Sequence, residues 1–342
     1  MNEKKQVLVI AEAGVNHNGN IDMAKRLVTA AAAAGADLVK FQTFKAASIA
    51  SNTAKKAAYQ VRNEGASGVE SEDTQLEMLQ RLELSESDHE ALIAHCRKHS
   101  VEFFSTGFDL KSLEYLNSLG FHRFKVPSGE ITNLPYLRLI GSYGRDVILS
   151  TGMASLGEIE MAIEVLEGEG LARDRITVLH CTTDYPAPIE DVNLRAMQSI
   201  GTAFGVAVGY SDHTEGVEVS IAAVALGARV IEKHFTLDRN LPGPDHAASL
   251  EPDELKAMIC GIRKVEAAMG TPQKRLTPSE VANRDVARKS IVAARPIVKG
   301  ELFSEKNLTT KRPGTGMSPM CWDEVLGRPA PSDFALDDEV TL

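Results

Sequence analysis

Apolar and polar positions alternate along this chain in blocks of two lengths. Short apolar runs of strand length are followed by amphipathic stretches of helix length. Val7–Ala11, Leu38–Phe41, Val101–Ser105, Arg123–Val126, Asp146–Leu149, Ile176–Leu179, Val206–Gly209 and Val230–Glu232 read as strands. Between and after them Asp22–Ala34, Leu84–Ser100, Leu110–Leu119, Leu134–Ser142, Leu156–Glu169, Leu194–Phe204, Val217–Leu226 and Pro252–Met269 read as helices, the first of them ended by Gly35. Eight strand-then-helix units in about 270 residues are what a closed (β/α)₈ barrel requires. An open doubly wound sheet also alternates, but no G-x-G-x-x-G follows the first strand. The pattern predicts an α/β fold, a TIM barrel over residues 1–270.

Two segments depart from this rhythm. Residues 44–74, after the second strand, are long, polar and poorly periodic, and in a barrel they overhang the catalytic face. Beyond Gly270 the run TPQKRLTPSE reads as a linker over residues 271–286, and residues 287–342 as a small, loop-rich domain. A segment that short is marginal alone and is expected to lean on another surface.

Composition narrows the class of partner. With 37 basic and 47 acidic residues the chain carries a net charge of −10, which repels nucleic acid and anionic membrane. No apolar run approaches membrane-spanning length, and MNEKKQVLVIAEAG turns polar too soon for a signal peptide. The four cysteines are widely spaced with no CxxC pair, so they read as reduced thiols. A cytoplasmic protein is expected.

Chemistry collects at the strand ends. His213 and His234 stand 21 residues apart, the length of one helix plus one strand, so both fall just past neighbouring strands seven and eight. Adjacent barrel strands bring two imidazoles within reach of one borderline divalent metal; two independent structural histidines are the plain alternative. The other ends are polar too: Glu12 with Asn16 and His17, Lys40 and Gln42, Ser105 and Thr106, Lys125 with Ser128 and Glu130, Ser150 and Thr151, His180 with Thr183, Asp184 and Tyr185. Together they describe a polar ring on the face where barrel active sites lie. Lys40 and Lys125, beside the hydroxyls of Thr106, Ser128 and Ser150, suit a small dianion such as phosphate or carboxylate. A Schiff-base lysine is the competing chemistry, and solvated strand-end lysines are the plain one.

These stretches carry a resemblance. AEAGVNHNG, GADLVKFQTFK, FKVPSGEITNLPYL, LSTGM, HCTTDYP, YSDHT, IEKHFTLD and GPDHAASLEPDEL, in that order, resemble the bacterial sialic acid synthase family, and ARKSIVA with KGELFSEKNLTTKRPGTGMSP resembles its C-terminal antifreeze-like (SAF) domain. The resemblance implies a domain-swapped homodimer that condenses phosphoenolpyruvate with an N-acetylated amino-hexose, giving a nine-carbon 2-keto acid and phosphate. It implies a metal, usually manganese with magnesium and cobalt as alternatives, on His213 and His234. It places phosphoenolpyruvate on Lys40, Thr106, Lys125, Ser128, Ser150 and Ser211. Glu12, Gln42, Glu130, Tyr185 and Asp245 surround the sugar and reacting carbons, and Arg312 reaches across the dimer. Lys125, Glu130 and Glu12 are the catalytic expectation, with either carboxylate activating water. N-acetylmannosamine is the expected acceptor. HCTTDYPAP departs from the HCTNIYP-like form of some members and looks as much like synthases using 2,4-diacetamido-2,4,6-trideoxymannose. Two rivals stand beside this: an enzyme acting on a phosphorylated sugar, and a non-catalytic carbohydrate- or ice-binding protein.

Overall fold

A computed structural model describes residues 6–51, 53–57, 60–63 and 74–342. Part of the polar 44–74 segment therefore lies outside the described residues. The chain divides into two compact units, Met1–Gly270 and Thr271–Leu342.

In the first unit eight strands alternate with helices. They are β1 Leu8–Gly14, β2 Leu38–Thr43, β3 Glu102–Gly107, β4 Arg123–Val126, β5 Asp146–Ser150, β6 Ile176–Cys181, β7 Ala207–Asp212 and β8 Val230–His234. All neighbouring pairs are parallel, in the order β3-β2-β1-β8-β7-β6-β5-β4, and β3 and β4 face each other across the closing seam. In that seam the buried Tyr136 hydroxyl donates to the Gly107 carbonyl of β3, with the Lys125 carbonyl of β4 as a second acceptor. The helices are α1 Ile21–Ala34, α2 Ala46–Ile49, α3 Gln75–Leu82, α4 Glu86–Lys98, α5 Leu110–Ser118, α6 Leu134–Ser142, α7 Leu156–Gly168, α8 Arg195–Phe204, α9 Glu218–Ala225 and α10 Pro252–Ala268. Local chemistry sets their ends. Asn20 caps α1 by accepting from the backbone of Asp22 and Met23, and Gly35 closes it at φ +90°. Ser85 and Ser155 open α4 and α7 with reciprocal capping boxes.

Most strands run one to three residues further than the apolar runs suggest: β7 continues from Gly209 to Asp212, and β8 from Glu232 to His234. The physical reason is alternation. Val39 and Phe41 pack outward against the helices, while Leu38 packs inward with Ile10, Phe104, Ile148, Leu179 and Val230 as an apolar floor. Two residues later along the same inward phase come Glu12, Lys40, Thr106, Ser150, Cys181 and Glu232. These polar residues are still strand, because the ladder does not depend on what the side chain carries. Gly209 occupies the β7 place in the floor, where a Cβ would stand 2.4 Å from the Val230 carbonyl and 2.6 Å from Leu179.

In the second unit, β9 Ser290–Ala293 pairs antiparallel with β10 Leu308–Lys311 over a small core of Ile291, Ile297, Phe303, Val325 and Phe334. The stretch read as a linker is more regular than expected: Pro278–Glu280 form a 3₁₀ turn and Val281–Ala287 a short helix, although their side chains are exposed. No helix among the described residues is long and apolar enough to cross a membrane.

Candidate active site

Above the apolar floor the barrel opens into a cavity of about 850 Å³. Its base is a charged network. Lys40 Nζ lies 2.9 Å from Glu12 Oε2 and 3.1 Å from Glu232 Oε2, and donates to Thr106 Oγ1 at 3.2 Å. Lys125 Nζ donates to Glu232 Oε1 at 2.9 Å, and Ser211 Oγ donates to the same oxygen at 3.1 Å. Glu232 therefore bridges both lysines. All four charged side chains are buried, no more than 6% exposed.

Burial alone would neutralise each of these groups, so their mutual arrangement decides their charge. Burial pushes Glu232 up, but Lys125 and Lys40 together outweigh it and hold its carboxylate well below the usual range. Burial lowers Lys40 as well, yet Glu12 and Glu232 outweigh it and keep its ammonium charged. Lys125 has one carboxylate partner, so burial prevails and its pKa falls. Glu12 is pushed up to about 7, chiefly by burial, against the opposing pull of Lys40. Of the two carboxyls, Glu12 is the one able to exchange a proton near neutrality.

Higher on the wall, four residues beyond the floor, His213 and His234 lie with ring centroids 5.6 Å apart. The Tyr185 ring rests against His213 at 4.1 Å and meets His234 edge-on at 5.5 Å. Burial lowers His213 to about 4 and His234 well below its ordinary value, so both imidazoles are neutral at physiological pH. His213 Nδ1 bonds the Thr182 carbonyl as donor, which leaves the lone pair on Nε2. His234 Nδ1 is buried without a hydrogen-bond partner. Two neutral imidazoles, His213 with Nε2 in a long 3.4 Å contact with Ser211 Oγ and His234 with Nδ1 unpartnered, fit a divalent ion. Among the described residues no group of three or more His, Cys, Asp or Glu could hold a metal, so water or substrate oxygens would have to complete its shell.

The cavity brings together nearly every residue the sequence singled out. Glu12, Lys40, Gln42, Thr106, Lys125, Ser128, Ser150, Tyr185, Ser211, His213, His234 and Asp245 all line it. Ser128 Oγ accepts from Gly152 N at 3.0 Å, which seats it against the end of β5. Asp245, buried, is pushed up to about 6 by that burial. Glu130 is the exception. Its carboxylate accepts from Asn133 Nδ2 at 2.6 Å, and it does not line the cavity. The reason is the single 3₁₀ turn Ser128–Glu130, which directs Ser128 inward and carries Glu130 toward the start of α6. Glu12 thus stands on the cavity wall, and Glu130 on the turn just beyond Ser128 and Gly129, which line it. Arg312 belongs to the second unit, where it is exposed and its Nε donates to the Ala287 carbonyl at 3.0 Å.

The sequence reading missed Glu232, the residue on which the charged network turns. Its signal was present in period two: Glu232 shares the inward phase of His234, and Ile231 and Lys233 take the other. It also missed the apolar lobe of the cavity, where Val15, Phe44, Met78 and Leu82 cluster with Ile49 and Phe108.

Comparison with known proteins agrees with this geometry. The profile of the NeuB family matches residues 27–274, and that of the SAF domain residues 288–340. The N,N'-diacetyllegionaminic acid synthase of Campylobacter jejuni is 54% identical over 98% of this chain and 98% of its own length. The enzyme of the same name from Legionella pneumophila is 48% identical over 93% of this chain and 89% of its own. Among solved structures, the N-acetylneuraminic acid (sialic acid) synthetase of Leptospira borgpetersenii superposes with a TM-score of 0.69 at 31% identity, covering 81% of this chain and 90% of that one. With nearly three quarters of its length under the NeuB profile and most of its C-terminal unit under the SAF profile, the chain belongs to the NeuB family of sialic acid synthases.

Proposed function

We propose that this protein is a metal-dependent nonulosonate synthase that condenses phosphoenolpyruvate with 2,4-diacetamido-2,4,6-trideoxymannose, giving N,N'-diacetyllegionaminate and phosphate. The observation that carries the reaction class is the buried Lys40–Glu232–Lys125 bridge directly beneath two neutral imidazoles in one cavity. The acceptor differs from the sequence-based expectation of N-acetylmannosamine. Two things favour the diacetamido sugar: the similarity to the Campylobacter and Legionella enzymes, and the apolar lobe around Phe44, Met78 and Leu82. A 6-deoxy methyl and a second acetamido methyl find apolar contact there, whereas the additional hydroxyls of N-acetylmannosamine do not. A phosphorylated acceptor is disfavoured, because Arg62 is the one cation beyond the two lysines among the described residues lining the cavity, and it is paired with Asp184.

The residues divide the work. Lys40 and Lys125, with the hydroxyls of Thr106, Ser128, Ser150 and Ser211, hold the phosphate and carboxylate of phosphoenolpyruvate by charge-assisted hydrogen bonds. Glu232 keeps the two ammonium groups apart and oriented before the dianion arrives. His213 and His234 would hold the divalent ion, manganese with magnesium or cobalt as alternatives, which supplies Lewis acidity toward the aldehyde oxygen of the open-chain sugar. A bond forms from C3 of phosphoenolpyruvate to the aldehyde carbon, water adds at C2, and C–O cleavage releases phosphate. The water gives up both protons: one leaves with the phosphate as the C2 hydroxyl becomes the keto oxygen, and the other passes to the aldehyde oxygen. Glu12, whose carboxyl exchanges protons near neutrality, mediates that transfer. Tyr185, Gln42 and Asp245 orient the acceptor. We further propose a domain-swapped homodimer in which Arg312 serves the partner's cavity. Its exposure and the family resemblance support this reading.

Side-by-side kcat/KM values test the proposal, with phosphate release as the readout. The diacetamido sugar is expected to exceed N-acetylmannosamine, and both to exceed any hexose or pentose phosphate. Chelator-treated protein is expected to be inactive until a divalent ion is restored. Faster turnover of a sugar phosphate would refute the acceptor class, and full activity after chelation would refute the metal role.

A further inference from the structure

Strands β7 and β8 carry a second set of buried charges on the side away from the cavity. Ser211, His213, Glu232 and His234 line the cavity. Between them in phase lie Asp212 and Lys233, each 1% exposed, register partners in the ladder and 3.0 Å apart from Lys233 Nζ to Asp212 Oδ2. Asp212 is saturated. Its Oδ1 accepts from the N and Oγ1 of Thr214 at 2.9 and 2.7 Å, and its Oδ2 accepts from Ser220 Oγ of α9 at 2.6 Å. Lys233 Nζ also donates to the Thr214 carbonyl at 2.7 Å.

The placement of these bonds is informative. Asp212 precedes His213 and Thr214 follows it, so the network grips the backbone on both sides of one imidazole. Lys233 precedes His234, so the same network grips the strand that carries the other. A buried ion pair is weak support for stability, since apolar side chains of similar volume often serve as well. It does fix relative position, because both partners must meet in one geometry. Two ligands on separate strands, with no third protein donor among the described residues, depend on that geometry entirely.

We propose that Asp212 and Lys233 are positioning residues, a clamp across the outer face of β7 and β8 that sets the spacing of His213 and His234 for a divalent ion. The clamp rests on the metal reading above. Thr214 and Ser220 belong to it as the neutral donors that complete Asp212. Neither Asp212 nor Lys233 lines the cavity, so they act through the histidines they flank.

The test is the double variant Asp212→Leu/Lys233→Met, which removes the clamp without leaving a charge buried alone. Metal-free protein is titrated with Mn²⁺ by calorimetry and with Co²⁺, whose visible absorption reports ligand number and geometry. The variant is expected to bind Mn²⁺ about 10- to 100-fold more weakly and to show an altered Co²⁺ spectrum. Its metal-free affinity for phosphoenolpyruvate is expected to match the parent's. Parental Mn²⁺ affinity with an unchanged Co²⁺ spectrum would overturn the clamp. Should the double variant not fold, Ser220→Ala removes one donor to Asp212 and keeps the ion pair. About 2- to 10-fold weaker Mn²⁺ binding is then expected, the loss of one hydrogen bond, and parental affinity overturns the clamp. A parent protein that binds neither ion overturns the metal reading and the clamp with it, whereas equal binding by parent and variant overturns the clamp alone.

Discussion

The mouth of the barrel and the interior of the C-terminal unit treat buried polar groups in opposite ways. In the C-terminal unit the core is apolar, and its two buried polar residues, Ser290 and Asn307, are completed within the unit. Ser290 Oγ donates to the Pro313 carbonyl and accepts from Gly316 N, while Asn307 bonds Ser304, Glu301 and the Leu302 carbonyl. At the barrel mouth, two lysines and two carboxyls are buried together, and His234 Nδ1 has no hydrogen-bond partner. The first arrangement spends polar groups on holding a fold. The second retains charge and an uncommitted nitrogen where a ligand would sit, which stability alone does not call for.

The comparison breaks first at Lys125. Lys125→Ala removes one of two buried cations from the proposed anion site, and kcat/KM for phosphoenolpyruvate is expected to fall about 10³-fold, roughly 4 kcal/mol. Steady-state phosphate release measures this. Circular dichroism should show the fold retained, because Glu232 keeps Lys40 as a partner. A loss below tenfold would remove Lys125 from the site. The mirror change is Phe303→Ala, which opens the centre of the small core and is expected to destabilise the C-terminal unit by about 3–5 kcal/mol. Denaturant unfolding followed by calorimetry and by Trp322 fluorescence checks it.

A third test separates burial of a neutral group from burial of an ion pair. His17 is fully buried at the barrel mouth, and burial lowers its pKa to about 4. Its folded pKa is depressed below the unfolded value of 6.5. Between those values the unfolded chain binds the proton more readily, so stability is fully present above pH 6.5 and is lost as pH falls toward 4. His17→Gln should flatten this acid limb by about 3 kcal/mol, read from urea midpoints between pH 7 and pH 4. An unchanged slope would show that other groups set it.

The smallest effect on stability is expected at Arg312, which is exposed. Arg312→Ala should shift unfolding by no more than about 0.5 kcal/mol. Its consequence for activity is read by mixing. Inactive Arg312→Ala and inactive Lys125→Ala chains should regain part of the activity together, since one hybrid site then holds both intact residues. No recovery in mixtures shown to form heterodimers would place Arg312 outside the partner's site.

Much of this molecule was legible residue by residue. Element order, the barrel, and the collection of Lys40, Lys125, Ser150, Ser211, His213 and His234 at strand ends follow from local periods and from where apolar runs stop. Glu130 and Glu232 show the boundary. Both stand beside recognisable motifs, yet one 3₁₀ turn takes Glu130 out of the cavity while the pleat of β8 aims Glu232 into it.

The sequence by itself determined the periodicities, and so the strands, the helices, the barrel and the floor of apolar residues beneath a polar layer. Those depend on neighbours within a few positions, which the chain states directly. Only the tertiary structure decided that Glu232 bridges Lys40 from β2 and Lys125 from β4, that burial raises the Glu12 carboxyl against the pull of Lys40, and that Asp212 meets Lys233 behind the histidines. Each of these joins strands far apart in the chain, and Coulomb interactions in a buried site turn on ångström separations that come into being when the sheet closes.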